Sequence, residues 1–236
     1  MSAALAITKR ELRTYFNSPV AYIVATVYML IAGYFFFNGV FIEKQAEMRG
    51  YFGIAPTLFT VIIPAITMRL IAEEKGSGTL ELLITMPVRD WEVVVGKFLA
   101  ALGLLAVIIG ITLVYAFSLS SIGPLDKGPA YVGYLGLLLM AASYAAIGVM
   151  ASALTRNQIV AFILAFAISF ILYLLGKILQ VVPTALQPIV SFLSTDAHFE
   201  SIGRGVIDTR DLLYYFSVIA VSLVVATVSL ESRRWK

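Results

Sequence analysis

Residues 70–91 read LIAEEKGSGTLELLITMPVRDW. Charges, two glycines and a proline-ended apolar run interrupt a chain made mostly of long apolar segments. Arg69, Glu73, Glu74 and Lys75 carry a helix out of an apolar phase, and Gly76-Ser77-Gly78 predicts its end, because glycine reaches backbone conformations closed to other residues. With Gly78 as the N-cap of a new helix, Glu81 falls at the third helical position, where a carboxylate complements the exposed amide dipoles. Leu80, Leu83 and Ile84 then form an i, i+3, i+4 stripe, Leu82 and Met86 widen it, and Pro87 ends the helix after about two turns, roughly 10 Å. Two turns do not hold a helix by themselves. Such a piece packs either on the membrane surface and its own helix ends or, as short amphipathic helices do, in a groove of a partner.

The rest of the 236-residue chain is 60% hydrophobic and only 13% charged, with a mean hydropathy of +0.93. That balance excludes a soluble domain and predicts an all-α integral membrane protein. Apolar runs long enough to cross a hydrocarbon core of about 30 Å fall near residues 20–42, 52–72, 93–122, 130–154, 159–182 and 212–230. With both termini on one side, that side carries eleven Lys and Arg residues and the other six. The excess of cations predicts that both termini and residues 70–91 are cytoplasmic, and the inner (plasma) membrane is the expected location. The first twenty residues lack the order of a cleaved signal peptide, so the N-terminus is expected to be retained. Cysteine is absent, which removes disulfides and thiolate metal sites.

Residues 1–18 predict an interfacial helix ahead of Ser18-Pro19, with Leu5, Leu12 and Phe16 within about 40° of one another on a helical wheel and Arg10 and Arg13 on another flank. A basic tail is the alternative. Ala141, Ala145, Gly148 and Ser152 line one face of the fourth span with small side chains, which lets another backbone approach. Pro64 predicts a kink in the second span. Residues 183–211 are long for a structureless connection. They predict one or two short re-entrant helices at the outer surface, one capped by Ser194, Thr195 or Asp196, with Asp208 or Thr209 capping the sixth span; an ordinary surface loop is the alternative.

Chemistry-bearing motifs are sparse. A phosphate-binding loop needs Gly-x4-Gly-Lys-Ser/Thr. Ahead of Gly96-Lys97 and Gly176-Lys177 the first glycine would fall at Trp91 and Ile171, and Phe98 and Ile178 follow. Asp196-x-His198-x-Glu200 is the best metal candidate, but on a helix residues two apart point about 200° apart and cannot share an ion. An exposed or capping histidine fits better. Arg69 and Lys97 lie near the cytoplasmic ends of their spans, where they are expected to snorkel. With no Asp, Glu or His near the middle of a span, a charge-coupled carrier is disfavoured and the energy for any transport is expected from another subunit. Tyr34-Phe35-Phe36-Phe37 suits a lipid-compatible cavity or, more commonly, plain packing.

Arg69-x3-Glu73-Glu74-Lys75-x2-Gly78-Thr79-x-Glu81-Leu82-Leu83-x-Thr85-x-Pro87-Val88 resembles the signature between the second and third spans of ABC-2-type permeases, the membrane subunits of type V ABC exporters. The span pattern, the N-terminal helix and the long segment before the last span extend the resemblance over essentially the whole chain. Ser18-Pro19-Val20-Ala21-Tyr22, the run from His198-Phe199-Glu200-Ser201 to Arg204-Gly205-Val206-Ile207-Asp208, and Leu230-Glu231-Ser232-Arg233-Arg234-Trp235 are most similar to the gliding-motility-associated group.

The resemblance implies one transmembrane domain over 1–236, with a coupling region at 73–92 and an outer gate at 183–211. Residues 79–86 would be a coupling helix seated in a separate P-loop ATPase, Leu82, Leu83 and Met86 supplying apolar contact. Glu73, Glu74 and Glu81 would meet basic residues of that partner or tie span ends together; Gly78, Thr79, Leu80 and Pro87 complete the motif. Asp196, His198, Phe199, Glu200, Arg204 and Asp208 would belong to the gate. No cofactor is expected in this chain: ATP and Mg would be bound by the ATPase, in two copies. A second permease copy or paralogue, the bilayer and further envelope proteins are the other expected partners, with no nucleic acid. Export or flipping of an amphipathic or polymeric substrate is the leading expectation, a mechanical complex without export the alternative, and a stand-alone carrier the rival.

Overall fold

The chain is built around one helix rich in small residues. α7 (Lys127–Leu154) has 78% of its apolar window buried, against 22% for the last two spans. In the computed structural model, which describes residues 3–41, 47–79, 88–123 and 126–232, three glycines of α7 each receive a neighbour's side chain. A Cβ at Gly133 would lie 2.5 Å from the Phe52 ring, one at Gly136 2.6 Å from Ile202, and one at Gly148 1.9 Å from Thr67 Oγ1. Hydrocarbon gives helices no hydrophobic reason to associate, so close packing of this kind supplies the attraction.

Helices of the second, third, fifth and sixth spans pack directly on this one. α1 (Ala3–Asn17) precedes α2 (Pro19–Phe41); α3 (Arg49–Thr67) and α4 (Arg69–Ser77) form the second span; α5 (Asp90–Ile111) and α6 (Leu113–Ile122) form the third. After α7 come α8 (Gln158–Lys177), the short α9 (Gln187–Leu193) and α10 (Thr195–Gly203), and α11 (Thr209–Glu231). Among the described residues six segments are long and apolar enough to cross a membrane, at the places that composition predicts. Two short helices occupy the connection before the last span. Ser194 caps α10 by accepting from the Ala197 amide at 3.1 Å, and Asp208 caps α11 by accepting from the Arg210 amide at 2.9 Å.

The second span is interrupted, but not at Pro64. Helical bonding continues past it, with the Met68 amide 2.9 Å from the Pro64 carbonyl, and the break falls at Met68. There Ser152 of α7 inserts its hydroxyl into the ladder, accepting from the Ile71 and Ala72 amides at 3.0 and 2.9 Å and donating to the Met68 carbonyl at 2.8 Å. One hydroxyl has one proton and two lone pairs, and all three are used. Thus the small-residue face read from the sequence also caps its neighbour.

A second interruption sits at Thr112, between α5 and α6. The Thr112 hydroxyl donates to the Ile109 carbonyl at 2.6 Å, so its contact with Tyr51 at 2.9 Å requires Tyr51 to donate. Tyr28, 3.0 Å from Tyr51, must then donate in turn. Tyr134 donates to the Thr112 carbonyl at 2.7 Å. Tyr134 of α7 thus adds a second donor to a carbonyl that already accepts from the Tyr115 amide at 2.9 Å, while Tyr51 of α3 and Tyr28 of α2 form a chain that starts at the Thr112 side chain. The order of donation predicts unequal effects. Tyr51→Phe strands the Tyr28 hydroxyl without its acceptor and should cost about 1–3 kcal/mol, whereas Tyr28→Phe at the start of the chain should cost less than about 1 kcal/mol, measured as thermal unfolding in one detergent.

Candidate functional site

α1 folds back against α5, and two glycines of α5 make room for it. A Cβ at Gly96 would lie 2.8 Å from the Ala4 carbonyl and 2.9 Å from Ile7, and one at Gly103 3.2 Å from Leu12. The Thr8 hydroxyl lies between the Ala4 carbonyl of its own helix at 2.9 Å and the Gly96 carbonyl at 3.0 Å, its one proton shared between them. The buried face of α1 is Ala4, Ile7 and Tyr15, one step round from the stripe that the helical wheel favours. Leu5 and Phe16 of that stripe stay exposed at 52% and 37%.

This docking covers Lys97. The lysine is 1% exposed, and its Nζ lies 2.8 Å from Glu74 Oε1 of α4 and 3.3 Å from Glu11 Oε1 of α1. It does not snorkel, because α1 lies over the route its stem would take and supplies a carboxylate instead. Arg10 extends the cluster, 2.8 Å from Glu11 and 3.5 Å from Glu74. Arg69 stacks over the Tyr15 ring at 5.2 Å, and the Tyr15 hydroxyl donates to the Ile66 carbonyl at 3.2 Å. A cleft of about 480 Å³ opens among these groups, with Glu73, Ser77 and Thr79 on its wall. Glu74 thus ties helix ends together, while Glu73 is exposed.

α4 runs through Gly76 rather than ending there. Gly76 serves contact, since a Cβ on it would sit 2.9 Å from the Arg156 carbonyl. Gly78 ends the helix, as its C-cap, in the left-handed region at φ 75°, and helical backbone resumes at Thr79. Lys75 is buried and donates to the Ala153 carbonyl of α7. Of the motif residues, Leu80, Glu81, Leu82, Leu83, Met86 and Pro87 lie outside the described residues. Beyond them Glu92 accepts from the Arg89 amide at 3.1 Å, closing the first turn of α5.

At the opposite end of the bundle, the residues singled out from the sequence divide into two groups. Asp196, His198 and Phe199 turn inward from α10. Asp196 pairs with Lys177 of α8 at 3.0 Å, and Phe199 packs edge-on to Phe52. His198 is neither exposed nor a cap: its ring stacks on Tyr214 at 4.1 Å, with Nδ1 2.7 Å from Asp211 and Nε2 3.1 Å from the Phe192 carbonyl. Glu200 and Arg204 stay on the exposed face, 3.2 Å apart, and Asp208 is the cap of α11. Asp196, His198 and Glu200 therefore serve three different partners. Thr195 adds two more anchors, bonding Tyr144 of α7 at 2.7 Å and accepting from Tyr215 of α11 at 2.9 Å.

Sequence reasoning missed the Lys97 cluster and the tyrosine chain. A lysine seven positions into an apolar helix, directly after a glycine, was the available signal for the first; its partners come from distant segments.

Two outcomes follow for the buried lysine. Lys97→Met removes the buried cation and leaves Glu11 and Glu74 with only the exposed Arg10 between them, and should destabilise the fold by about 3 kcal/mol, measured as thermal unfolding with proteolysis at Arg10 and Arg13 reporting release of α1. Burial opposes the charge on Glu11, yet attraction to Lys97 and Arg10 outweighs it and holds the carboxyl below its ordinary value of 4.5. Stability from a lowered carboxyl is present above its ordinary range and lost as pH falls through the lowered value. The difference in melting temperature between wild type and Glu11→Gln should therefore exist at neutral pH and close under acid.

A comparison with characterised proteins finds no match. A family model described as ABC-2 family transporter protein matches residues 1–234. A match over nearly the whole chain, on a bundle with six membrane-length helices, implies a multi-pass subunit that works with an ATPase partner. The chain belongs to the ABC-2 transporter family.

Proposed function

We propose that the chain is the permease half of an ATP-driven exporter in the inner membrane, with both termini cytoplasmic. Two copies, or one copy and a paralogue, pair as twelve spans over two P-loop ATPase subunits. Residues 79–86 form the coupling helix seated in the ATPase, and α1 lies along the inner leaflet with Leu5 and Phe16 in lipid. The connection before the last span faces outward as the gate, α9 and α10 forming its re-entrant part. An amphipathic or polymeric substrate moves from the cytoplasmic leaflet outward. Kinship with the gliding-motility-associated permeases is part of the same proposal and brings no physiology with it.

The observation that carries this reading is the Lys97 cluster. Glu74 lies five residues before Thr79, and through Lys97 it joins α1 and α5 in one buried ionic contact. Lys75, on the same turn, bonds α7. A push on residues 79–86 would pass through the turn at Gly78 into the last turn of α4, and from there to α1, α5 and α7. The excess of cations at this end supports its cytoplasmic placement.

The test is functional and has a partner-level control. Gentle purification of the tagged chain from its native membrane should carry a P-loop ATPase with it. Glu81→Ala with Leu83→Ala should lower ATP-dependent activity of that complex by about tenfold or more, the scale of losing an interface anchor, with the melting temperature of the permease unchanged. Unchanged activity in the double variant would remove the coupling assignment.

A further inference from the structure

α9 buries no residue, and side chains of two neighbouring helices hold its last turn. The Tyr214 phenol of α11 donates to the Leu193 carbonyl at 2.7 Å, and Nε2 of His198 on α10 lies 3.1 Å from the Phe192 carbonyl. A carbonyl has no proton to give, so that bond requires a proton on Nε2. The other ring nitrogen, Nδ1, lies 2.7 Å from Asp211 Oδ1. A second proton must sit in that contact, since a bare nitrogen and a carboxylate oxygen would meet lone pair to lone pair. His198 and Asp211 therefore hold two protons between them, either as imidazolium and carboxylate or as the neutral pair that differs only in which atom owns the shared proton.

With one proton fewer, the arrangement loses a bond. The remaining proton stays in the shorter contact with Asp211, where a carboxylate strengthens it, and Nε2 turns a lone pair toward the Phe192 carbonyl. The His198 ring, stacked on Tyr214 at 4.1 Å, also loses its positive charge over that aromatic face. Histidine is the side chain that changes charge between about pH 5 and 8. α9 carries no titratable side chain of its own. From α11, Tyr215 meets the ring edge-on and Arg210 lines the adjoining cleft. Within α10, Glu200 is paired with Arg204, and Asp196 with Lys177 of α8, which also lies over Tyr173. α7 offers Tyr144, engaged with Thr195, and α3 offers Phe52, which does not titrate. The charges of α5 lie at the other end of the bundle. Burial holds the Asp196 carboxyl above its ordinary 3.8, against the pull of Lys177, so Asp196 is the neighbour whose titration the test must separate.

We propose that His198 and Asp211 form a proton-operated latch on α9. With two protons the pair clasps the Phe192 carbonyl and α9 stays closed against α10 and α11. With one it lets go, and α9 swings about the bond between Tyr214 and Leu193, widening the cleft of about 620 Å³ among these helices. The closed form binds one proton more than the open form, so acid favours closure, and closure is lost as pH rises. The latch consists of contacts within one chain and goes beyond the permease reading. It is measured without nucleotide or ATPase, so its failure leaves the coupling assignment standing.

The chain has no cysteine, so Ile189→Cys on α9 and Val221→Cys on α11, both at exposed positions, accept a pair of spin labels. The distance between the labels is read by double electron–electron resonance on the full chain in detergent, diluted with unlabelled chain, from about pH 5 to about pH 9, which brackets the histidine range. One distance in acid should give way to a second, the ratio of the two populations changing about tenfold across the range, the scale of one hydrogen bond to a charged group. In His198→Gln the ratio should not move with pH. In Asp211→Asn the midpoint should fall by about one pH unit or more, as when a histidine loses a neighbouring carboxylate. Should His198→Gln fail to fold, the midpoint of Asp211→Asn decides. A ratio constant with pH in the wild type, a response that survives His198→Gln and so belongs to Asp196 and Lys177, or an unmoved midpoint in Asp211→Asn each overturns the latch.

Discussion

Hydrocarbon supplies no hydrogen bonds, so each backbone group that a membrane helix releases must find its partner inside the protein. Two of the six spans found among the described residues are interrupted, at Met68 and at Thr112, and side chains from other helices bond at both places. Ser152 serves the first with all of its bonding capacity; a directed series of tyrosine hydroxyls serves the second. The second span cannot separate from α7 without taking the Ser152 hydroxyl from the Ile71 and Ala72 amides and the Met68 carbonyl, and the third would lose the Tyr134 bond to the Thr112 carbonyl. This is why a helix rich in alanine, glycine and serine, with little apolar bulk to offer, organises the bundle.

The two ends of the bundle are held by different physics. At the N-terminal end a lysine buried to 1% exposure joins three helices through two carboxylates, a contact costly to desolvate and more costly to break. At the other end α10 is held by a half-exposed ion pair, Asp196 with Lys177, and by shorter-range contacts: a tyrosine on each side of Thr195, the His198 ring on Tyr214, and Ile202 against Gly136. α9 differs, with no buried residue. Movement at that end is therefore easier for α9 than for α10, which is continuous with the packing of α7, α8 and α11.

The spans were legible because length and hydropathy are local properties, and so were the caps at Ser194 and Asp208, which need only their own next residues. The face of Ala141, Ala145, Gly148 and Ser152 was legible as a packing surface. That Ser152 would cap a different helix was not, since the signal lies in a break at Met68 that proline chemistry alone would have put at Pro64. Lys97 was misjudged for a related reason: its position favours snorkelling until α1 is laid over it, and that fold-back depends on glycines 96 and 103 in another span. His198 was read beside Asp196 and Glu200, its neighbours in sequence, whereas its partners are Asp211, Tyr214 and a carbonyl of α9.

The fit of Thr67 into the space over Gly148 has an evolutionary consequence. Neither position can drift alone: a side chain at 148 has nowhere to go until residue 67 has shrunk, and shrinking 67 first opens a void beside the central helix. Related chains should change the two together or not at all, so the pair would serve as a covariation marker for this bundle even where the surrounding apolar residues have been exchanged freely.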